Sequence, residues 1–288
     1  MFQGSIVAIV TPFKNGAVDF ETLDKLVEFH VKARTDAIVP CGTTGESPTL
    51  THEEHDAVIA RVVKAARRRV PVLAGTGSNS TAEAIQLSRH AEKSGADGVL
   101  QVTPYYNKPT QEGLYRHFKA VADSIGIPVV LYNIPSRSVV GLTLETYRRL
   151  AEVKNIVGTK EAAGSTDLVS EIVEKTPLTV LSGDDSMTLP FMSVGAKGVI
   201  SVVANIAPKD VKAMVDAFAK GDPRKARKLH AKLYPLTKAM FVETSPAPVK
   251  SAMGMLGMCS DEVRLPMVTP SKESVAKIRA ALVNYGLL

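Results

Sequence analysis

The sequence predicts an α/β protein built as a (β/α)8 TIM barrel with a C-terminal helical extension. Eight short apolar runs recur at intervals of 20 to 33 residues, and amphipathic stretches with apolar residues at helical spacing lie between them. The runs do not alternate apolar and polar residues, which is typical of parallel strands covered on both faces. After about residue 224 the strand signals stop. The predicted strands begin near Ser5, Ala37, Val70, Gly98, Pro128, Ile156, Leu178 and Gly198.

The first predicted helices, residues 20–33 and 51–66, have apolar side chains every three or four positions. Two segments match the capping box, in which a Ser or Thr side chain and a Glu three residues later each bond the other's backbone N–H. These segments are Thr51-x-x-Glu54 and Ser80-x-x-Glu83. We therefore expect helices to begin just after Thr51 and Ser80.

The C-terminal part of the chain has helical periodicity only, in residues 224–241, 246–256 and 271–285. We predict two domains: a catalytic barrel of residues 1–224 and a helical domain of residues 225–288. No Gly/Ser-rich linker separates them, so we expect the helices to pack directly on the barrel.

The amino-acid composition limits the kinds of protein that this chain can be. The 288 residues are 45% hydrophobic and 22% charged, and no run of 18 apolar residues occurs, which predicts a globular protein with a large core that does not enter a membrane. The first residues lack the basic region and cleavage site of a secretory signal. We expect a cytoplasmic protein in which Cys41 and Cys259 are free thiols.

The net charge of +6 raises the question of nucleic-acid binding. The one dense basic run, residues 64–69, falls at a predicted helix end, where cations complement the helix dipole. No nucleic-acid motif or aromatic cluster accompanies it, so the charge better fits small anionic substrates.

Lys160 ends an apolar run, Ile-Val-Gly-Thr-Lys, that predicts a buried strand. Burial disfavours the ammonium form, so we expect an amine that can attack a ketone or aldehyde. The alternative is a lysine that pairs with Glu161 or reaches solvent at the strand end. Glu161 follows directly and should point to the opposite face, so we assign it no catalytic role.

In a barrel of this kind chemistry occurs at the C-terminal ends of the strands. The residues that follow the predicted strands are polar, which makes this rim the candidate site. Four segments show it: Gly42-Thr43-Thr44-Gly45-Glu46-Ser47 after strand two, Thr103-Pro104-Tyr105-Tyr106-Asn107-Lys108-Pro109 after strand four, Tyr132-Asn133-Ile134-Pro135-Ser136-Arg137 after strand five, and Gly183-Asp184-Asp185 after strand seven.

These segments, together with Gly158-x-Lys160-Glu161, make the chain resemble the dihydrodipicolinate synthase family of pyruvate-dependent class I aldolases. The resemblance runs end to end. It implies that Lys160 forms a Schiff base with pyruvate, whose enamine adds to the aldehyde of L-aspartate 4-semialdehyde. The implied product is 4-hydroxy-tetrahydrodipicolinate, made in the first committed step of diaminopimelate and lysine biosynthesis. No metal or organic cofactor is required.

The resemblance also implies roles for single residues. Tyr132 is the acid/base, connected through Thr44 to Tyr106 in a proton relay, and Tyr106 comes from the adjoining subunit of a homo-oligomer. That oligomer is a tight dimer, commonly paired into a tetramer. Substrate contacts are implied for Thr43 and Thr44 on the pyruvate carboxylate, for Arg137 on the second substrate's carboxylate, and for Gly183 and Ile200 through their main chains.

A second set of residues matches the positions that bind L-lysine in feedback-regulated members of the family. The set is Ser47, His52, His55, Asn79, Glu83 and Tyr105. A metal site is a poor interpretation, because His52-x-x-His55 has no third ligand at a clear spacing. The alternative for both histidines is that they are solvent-exposed polar residues at the start of a helix. Pro48 stands where many regulated relatives carry alanine, and we expect it to alter the loop.

The same residues allow three other functions to be compared with the semialdehyde enzyme. Another pyruvate aldolase, such as an N-acetylneuraminate or ketodeoxysugar-acid lyase, would keep Lys160 and Tyr132. Thr44, Tyr106 and Arg137 favour the semialdehyde enzyme instead. A phosphate-binding barrel is disfavoured by the two aspartates after strand seven, and a non-catalytic barrel would have no reason to carry a complete set of rim groups.

Overall fold

A computed structural model describes residues 2–288. The barrel predicted from the sequence is confirmed: eight parallel strands alternate with helices along the chain. The strands are β1 (Gly4–Ala8), β2 (Ala37–Val39), β3 (Leu73–Gly75), β4 (Gly98–Val102), β5 (Val129–Asn133), β6 (Ile156–Glu161), β7 (Thr179–Ser182) and β8 (Gly198–Ser201).

The strands pair in an unbroken parallel order, β2, β1, β8, β7, β6, β5, β4, β3. A parallel bridge between Ile38 and Val72 then joins the two ends of that order, which closes the barrel. Closure brings the C-terminal ends of all eight strands to one rim, so residues far apart in sequence meet there.

Helices follow most strands, and three further helices end the chain. They are α1 (Phe20–Ala33), α2 (His52–Ala66), α3 (Thr81–Lys93), α4 (Gln111–Asp123), α5 (Pro135–Ser138), α6 (Leu144–Ala151), α7 (Thr166–Lys175), α8 (Thr188–Ser193), α9 (Pro208–Ala219), α10 (Pro223–Met240), α11 (Ala247–Met255) and α12 (Lys272–Tyr285).

The helix boundaries follow the sequence signals closely, while two details differ. Strand β3 begins at Leu73 rather than near Val70, because Val72 contributes only the bridge that closes the barrel. A small antiparallel hairpin, residues 13–14 with 17–18, was not predicted. Its turn places Asn15 and Gly16 in the left-handed region, which a two-residue connection of this kind requires.

The two predicted capping boxes have different outcomes. At Thr51 the box is complete, with the Glu54 N–H donating to the Thr51 hydroxyl and the Thr51 N–H donating to the Glu54 carboxylate at 3.0 Å. At Ser80 the prediction is half wrong. The Glu83 N–H reaches the Ser80 hydroxyl at 3.5 Å, but the Glu83 carboxylate bonds Ser78 and His52 instead of the Ser80 backbone.

The core has two parts. One fills the barrel interior, with Ile6, Leu100, Val130 and Leu181 among its members, and the other lies between the strands and the surrounding helices. The C-terminal helices share the second part: α10, α11 and α12 contribute side chains such as Leu236, Met253 and Leu282. These helices therefore pack directly on the barrel. The division of the chain at residue 224 stays a prediction.

The basic run of residues 64–69 ends α2. Arg67 caps the helix in the left-handed conformation, and Arg69 donates to the carbonyl of Ala65 and pairs with Glu28 at 2.8 Å. The run thus stabilises a helix end, as expected from the dipole. Across residues 2–288, every helix is too short or too polar to cross a bilayer.

Candidate active site

Lys160 lies near the C-terminal end of β6 and points into the barrel. The two neighbouring side chains, Thr159 and Glu161, both bond the hydroxyl of Tyr147 on α6, at 3.1 and 2.8 Å. Successive side chains of a strand point to opposite faces, so the residue between them faces the interior. Lys160 is only 6% exposed, and within residues 2–288 its ammonium forms no ion pair. The alternatives of a Glu161 pair or a solvated head are therefore wrong.

Tyr132 is the immediate neighbour of Lys160 across the sheet. The two residues are register partners in β5 and β6, and the Lys160 Nζ lies 4.1 Å from the centre of the buried Tyr132 ring. Gly183, after β7, leaves room for the lysine: a Cβ at this position would stand 3.1 Å from the Lys160 Cε and 2.9 Å from the Ala162 Cβ. The structure thus gives Gly183 a steric role that the sequence did not reveal.

A cavity of about 240 Å³ opens beside Tyr132 at the rim. Arg137, on the short helix α5, lines it, and its guanidinium donates to the carbonyl of Ser245 at 3.2 Å. Thr43 lines the same cavity, and Ser47 and Tyr105 also contribute to its wall. The cavity therefore combines an aromatic wall with one cation, which suits a small anionic molecule.

The turn after β2 carries Thr43 and Thr44. It is a tight structure in which the N–H of Gly45 donates to Gly42 and that of Glu46 donates to Thr43, each at 3.1 Å. The Thr11 hydroxyl donates to the carbonyl of Gly45 at 2.7 Å and fixes the turn to the segment after β1. Thr44 is buried, while Thr43 is partly exposed at the cavity.

Two other residues predicted for the site, Ile200 and Tyr106, differ in their exposure to solvent. Ile200 is buried in the barrel interior, in the same cluster as Tyr132. Tyr106 is 89% exposed and has a φ of 72°, so its ring stands out from the surface of the single chain. Within residues 2–288, no hydrogen bond joins Tyr106 to Thr44 or Tyr132. The relay stays a prediction.

The model of the dihydrodipicolinate synthetase family matches residues 1–284. The chain belongs to this family. A 4-hydroxy-tetrahydrodipicolinate synthase of Geobacter sulfurreducens is 58% identical over the whole of both chains. The crystal structure of dihydrodipicolinate synthase from Aquifex aeolicus has a TM-score of 0.98 at 55% identity and covers 99% of each chain.

A third relative in the dihydrodipicolinate synthase family was solved with lysine bound. This structure, from Cyanidioschyzon merolae, is 39% identical to the chain, has a TM-score of 0.97, and covers 100% of this chain and 99% of the other. The match over full length means that every element of the barrel and of the C-terminal helices has a counterpart in the family.

The residues predicted to bind L-lysine come from separate loops and helices, and two of them, Ser47 and Tyr105, line the cavity. His52 at the start of α2 bonds Glu83 at the start of α3, with 2.7 Å between Nε2 and Oε1. Hydrogen bonds to Ser78 and His52 lower the pKa of Glu83, the Ser78 bond being the larger cause. Burial, followed by the charge of Glu83, raises the pKa of the half-buried Tyr105.

The other residues of this set have structural contacts. His55 is buried and donates from Nε2 to the carbonyl of Gly75 at 2.9 Å, and burial lowers its pKa. The solvated alternative is thus wrong for His55, while His52 is half exposed. The carbonyl of Asn79 accepts from the side chain of Asn107 at 2.8 Å, which ties the Tyr105–Tyr106 loop to the start of α3.

Two buried networks around the site were missed by sequence reasoning. Behind Lys160, the Glu161 carboxylate accepts from Asn133, Tyr147 and the N–H of Ala163, and burial raises its pKa. Beside the Thr43 turn, Lys250 of α11 pairs with Glu46. The one signal for the second network was a single lysine in an otherwise apolar helix, Ala-Pro-Val-Lys-Ser-Ala-Met.

Proposed function

We propose that Lys160 is the nucleophile of the family's reaction in this chain and forms a Schiff base with the ketone of pyruvate. The chain condenses pyruvate in lysine and diaminopimelate biosynthesis, with L-aspartate 4-semialdehyde as the second substrate and 4-hydroxy-tetrahydrodipicolinate as the product. The observation that supports the role of Lys160 is its position: a buried amine without a carboxylate partner, beside Tyr132 at the barrel rim.

The chemistry follows from an amine in that place. Attack on the ketone carbon forms a C–N bond, and loss of water gives the imine. The protonated imine withdraws electrons, so the methyl group releases a proton and an enamine results. Its carbon adds to the aldehyde, after which the amine of the second substrate displaces the lysine and closes the ring. This sequence uses no metal and no organic cofactor.

We assign proton transfer to Tyr132. Its phenol ring lies against the Lys160 amine, at the position where the carbinolamine gains and loses protons. Thr44 and Tyr106 complete the proposed relay. Because Tyr106 is almost fully exposed, we assign it to the site of a neighbouring chain in a tight dimer, which in turn pairs into a tetramer.

The substrate carboxylates are assigned to two parts of the rim. Thr43 and Thr44 hold that of pyruvate, since their turn presents backbone N–H groups and hydroxyls next to Gly42. Arg137 binds the carboxylate of the semialdehyde from the cavity wall, where its guanidinium donates one N–H to the Ser245 carbonyl and has further N–H groups for the substrate. Gly183 and Ile200 complete the pocket around the lysine.

Borohydride reduction tests the nucleophile. Wild-type protein treated with pyruvate and borohydride is expected to gain one reduced adduct, which peptide mass mapping places on Lys160. Lys212→Arg, at a partly buried lysine on α9 that pairs with Asp36, serves as the matched control and should still be labelled at Lys160. Turnover without any adduct on Lys160 would refute the mechanism.

Subunit mixing tests Tyr106. Tyr106→Phe and Lys160→Ala should each be nearly inactive alone. If one chain supplies its tyrosine to the lysine of the other, a mixed dimer contains one intact site, so reassembly of the two variants should restore activity. Sedimentation velocity gives the state of assembly. Mixed dimers that form without any gain in activity would contradict the assignment.

We also propose that L-lysine inhibits the enzyme at Ser47, His52, His55, Asn79, Glu83 and Tyr105. Two features support this. Ser47 and Tyr105 line the same cavity as Tyr132, so a ligand there would touch the catalytic loop, and the Glu83 carboxylate offers a partner for an ammonium. The relative solved with lysine bound is a further support. Because His52 already bonds Glu83, lysine must compete for that carboxylate.

Titration of L-lysine into a steady-state assay decides this point. Activity should fall, and Glu83→Gln should weaken the inhibition while Glu53→Gln, an exposed neighbour on α2, leaves it unchanged. Unaltered wild-type activity at millimolar lysine would discard the proposal.

A further inference from the structure

Lys250 is a fully buried lysine outside the catalytic rim. It lies on α11, and its Nζ donates to the Glu46 Oε1 at 2.6 Å and to the carbonyl of Thr11 at 2.9 Å. The ammonium also stands 4.1 Å from the centre of the Phe13 ring. Every direction around this cation is occupied by protein groups, so it has no access to a substrate.

The partner carboxylate is equally enclosed. The side chain of Glu46 is 1% exposed, and its second oxygen accepts the backbone N–H of Arg264 at 3.0 Å. The Arg264 guanidinium in turn bonds both oxygens of Glu54, at 2.5 and 2.6 Å. The C-terminal segment therefore holds Glu46 from two sides.

Glu46 is part of the turn to which the pyruvate carboxylate is assigned. Its φ of 54° is left-handed, which only a fixed turn imposes on a glutamate, and its N–H donates to the carbonyl of Thr43 at 3.1 Å. The preceding residue is packed against backbone, since a Cβ on Gly45 would stand 3.0 Å from the N of Cys41. A displacement of Glu46 thus transmits directly to Thr43 and Thr44.

We propose that Lys250 is a positioning residue of the active site, which holds the turn of residues 42–45 in its pyruvate-binding form through the ion pair with Glu46. The inference rests on the proposed function, because it takes that turn as the binding site of the pyruvate carboxylate. Because both side chains are enclosed by protein, removal of the ammonium leaves the Glu46 carboxylate without its counter-charge, so Glu46 must rotate toward solvent or a new cation. Either movement disturbs the Thr43–Thr44 backbone.

The test measures Schiff-base trapping rather than turnover. Lys250→Met keeps an unbranched side chain that is one atom shorter and carries no charge. We expect the pyruvate concentration that gives half-maximal borohydride adduct on Lys160 to rise about tenfold. Trapping of acetone, a ketone without a carboxylate, should change less than about twofold, because the lysine itself is undisturbed. A general loss of structure would affect both ketones alike.

Lys212→Met is the matched control. Lys212 is a partly buried lysine on α9 that pairs with Asp36 and Asp216, next to the opposite end of the barrel. It should lower thermal stability without changing either trapping curve. The double variant Glu46→Gln/Lys250→Met removes both charges and avoids an unpaired one in the core. We expect it to remain folded and still to bind pyruvate more weakly than the wild type, because the ion pair that holds the turn is missing.

The outcomes separate the two proposals. An absence of any adduct in the wild type would refute the proposed function itself. Normal pyruvate trapping in a folded Lys250→Met protein would overturn the positioning role and leave the mechanism intact. Equal weakening of pyruvate and acetone, or unfolding of both Lys250 variants while Lys212→Met folds, would assign the ion pair to stability alone and also overturn it.

Discussion

The two buried lysines of this chain, Lys160 and Lys250, differ in the groups that surround the amine. Both Lys160 and Lys250 have an ammonium group 4.1 Å from the centre of an aromatic ring, and both are nearly inaccessible to solvent. Lys250 has a carboxylate at 2.6 Å and a carbonyl at 2.9 Å. Lys160 has no carboxylate partner within residues 2–288 and adjoins a cavity wall instead.

The difference distinguishes an architectural lysine from a reactive one. A buried charge is tolerated where an opposite charge and hydrogen bonds replace the lost water, as at Lys250. Burial lowers the pKa of Lys250, and the Glu46 carboxylate acts against that shift. Lys160 is buried without a carboxylate partner within residues 2–288, an arrangement that folding alone would not favour and that leaves the amine free to act as a nucleophile.

The largest expected effect is on catalysis. Lys160→Met should reduce kcat by at least about a thousandfold, because no other amine replaces the covalent step. Steady-state assay with pyruvate and the semialdehyde measures the loss, and circular dichroism checks the fold. Activity within tenfold of wild type would show that the unpaired lysine is not the nucleophile.

The free energy of unfolding should change in the reverse order, with the larger loss from substitution of Lys250 and the smaller from substitution of Lys160. Lys250→Met leaves Glu46 buried without its cation and should cost about 3–5 kcal/mol in the free energy of unfolding. Lys160→Met removes a buried ammonium that lacks a carboxylate and should be neutral or stabilising. Urea unfolding of the two variants measures both effects. Equal losses would mean that pairing does not distinguish the two lysines.

A smaller effect on stability is expected from a substitution at the outer face of β6. Tyr147→Phe removes the hydroxyl that bonds Thr159 and Glu161, which leaves a buried carboxylate with fewer donors. We expect a loss of about 1–3 kcal/mol in the free energy of unfolding. Tyr234→Phe, at a tyrosine that is 46% exposed, is the matched control and should change little. Urea unfolding of the two variants measures both changes in the free energy of unfolding.

The smallest effect concerns the ion pair between Arg264 and Glu54, which borders the Lys250–Glu46 pair. The hydrogen bond from Arg264 is the main cause of the lowered pKa of Glu54. A lowered folded-state pKa means that stabilisation is complete above the usual value near 4.5 and is lost as pH falls through the folded value. Glu54→Gln should therefore cost about 0.5 kcal/mol at pH 7, because solvent screens the pair, and should cost progressively less in acid.

Thermal melts from pH 7 down to pH 3 follow that difference. Glu152→Gln, at an exposed glutamate on the barrel surface, should show no comparable dependence. A constant difference between wild type and Glu54→Gln across the range would contradict the assignment to the Arg264 pair.

Much of the fold was predictable because local pattern and global structure agree. The spacing of apolar runs located eight strands, and the Thr51 capping box located the start of α2. The Ser80 box failed in one half because a residue 31 positions away, His52, competes for the Glu83 carboxylate. Pairings between distant segments of this kind leave no mark in a local window.

The sequence by itself determined the number and approximate positions of the strands, the helix boundaries and the position of Lys160 at a strand end, because periodicity and capping act over a few residues. It could not reveal that Lys250 reaches Glu46, 204 positions earlier, nor that Gly183 makes room for the lysine side chain. Closure of the barrel and docking of α11 decide those contacts. Their physical basis is close packing, which depends on groups that only the complete fold brings together.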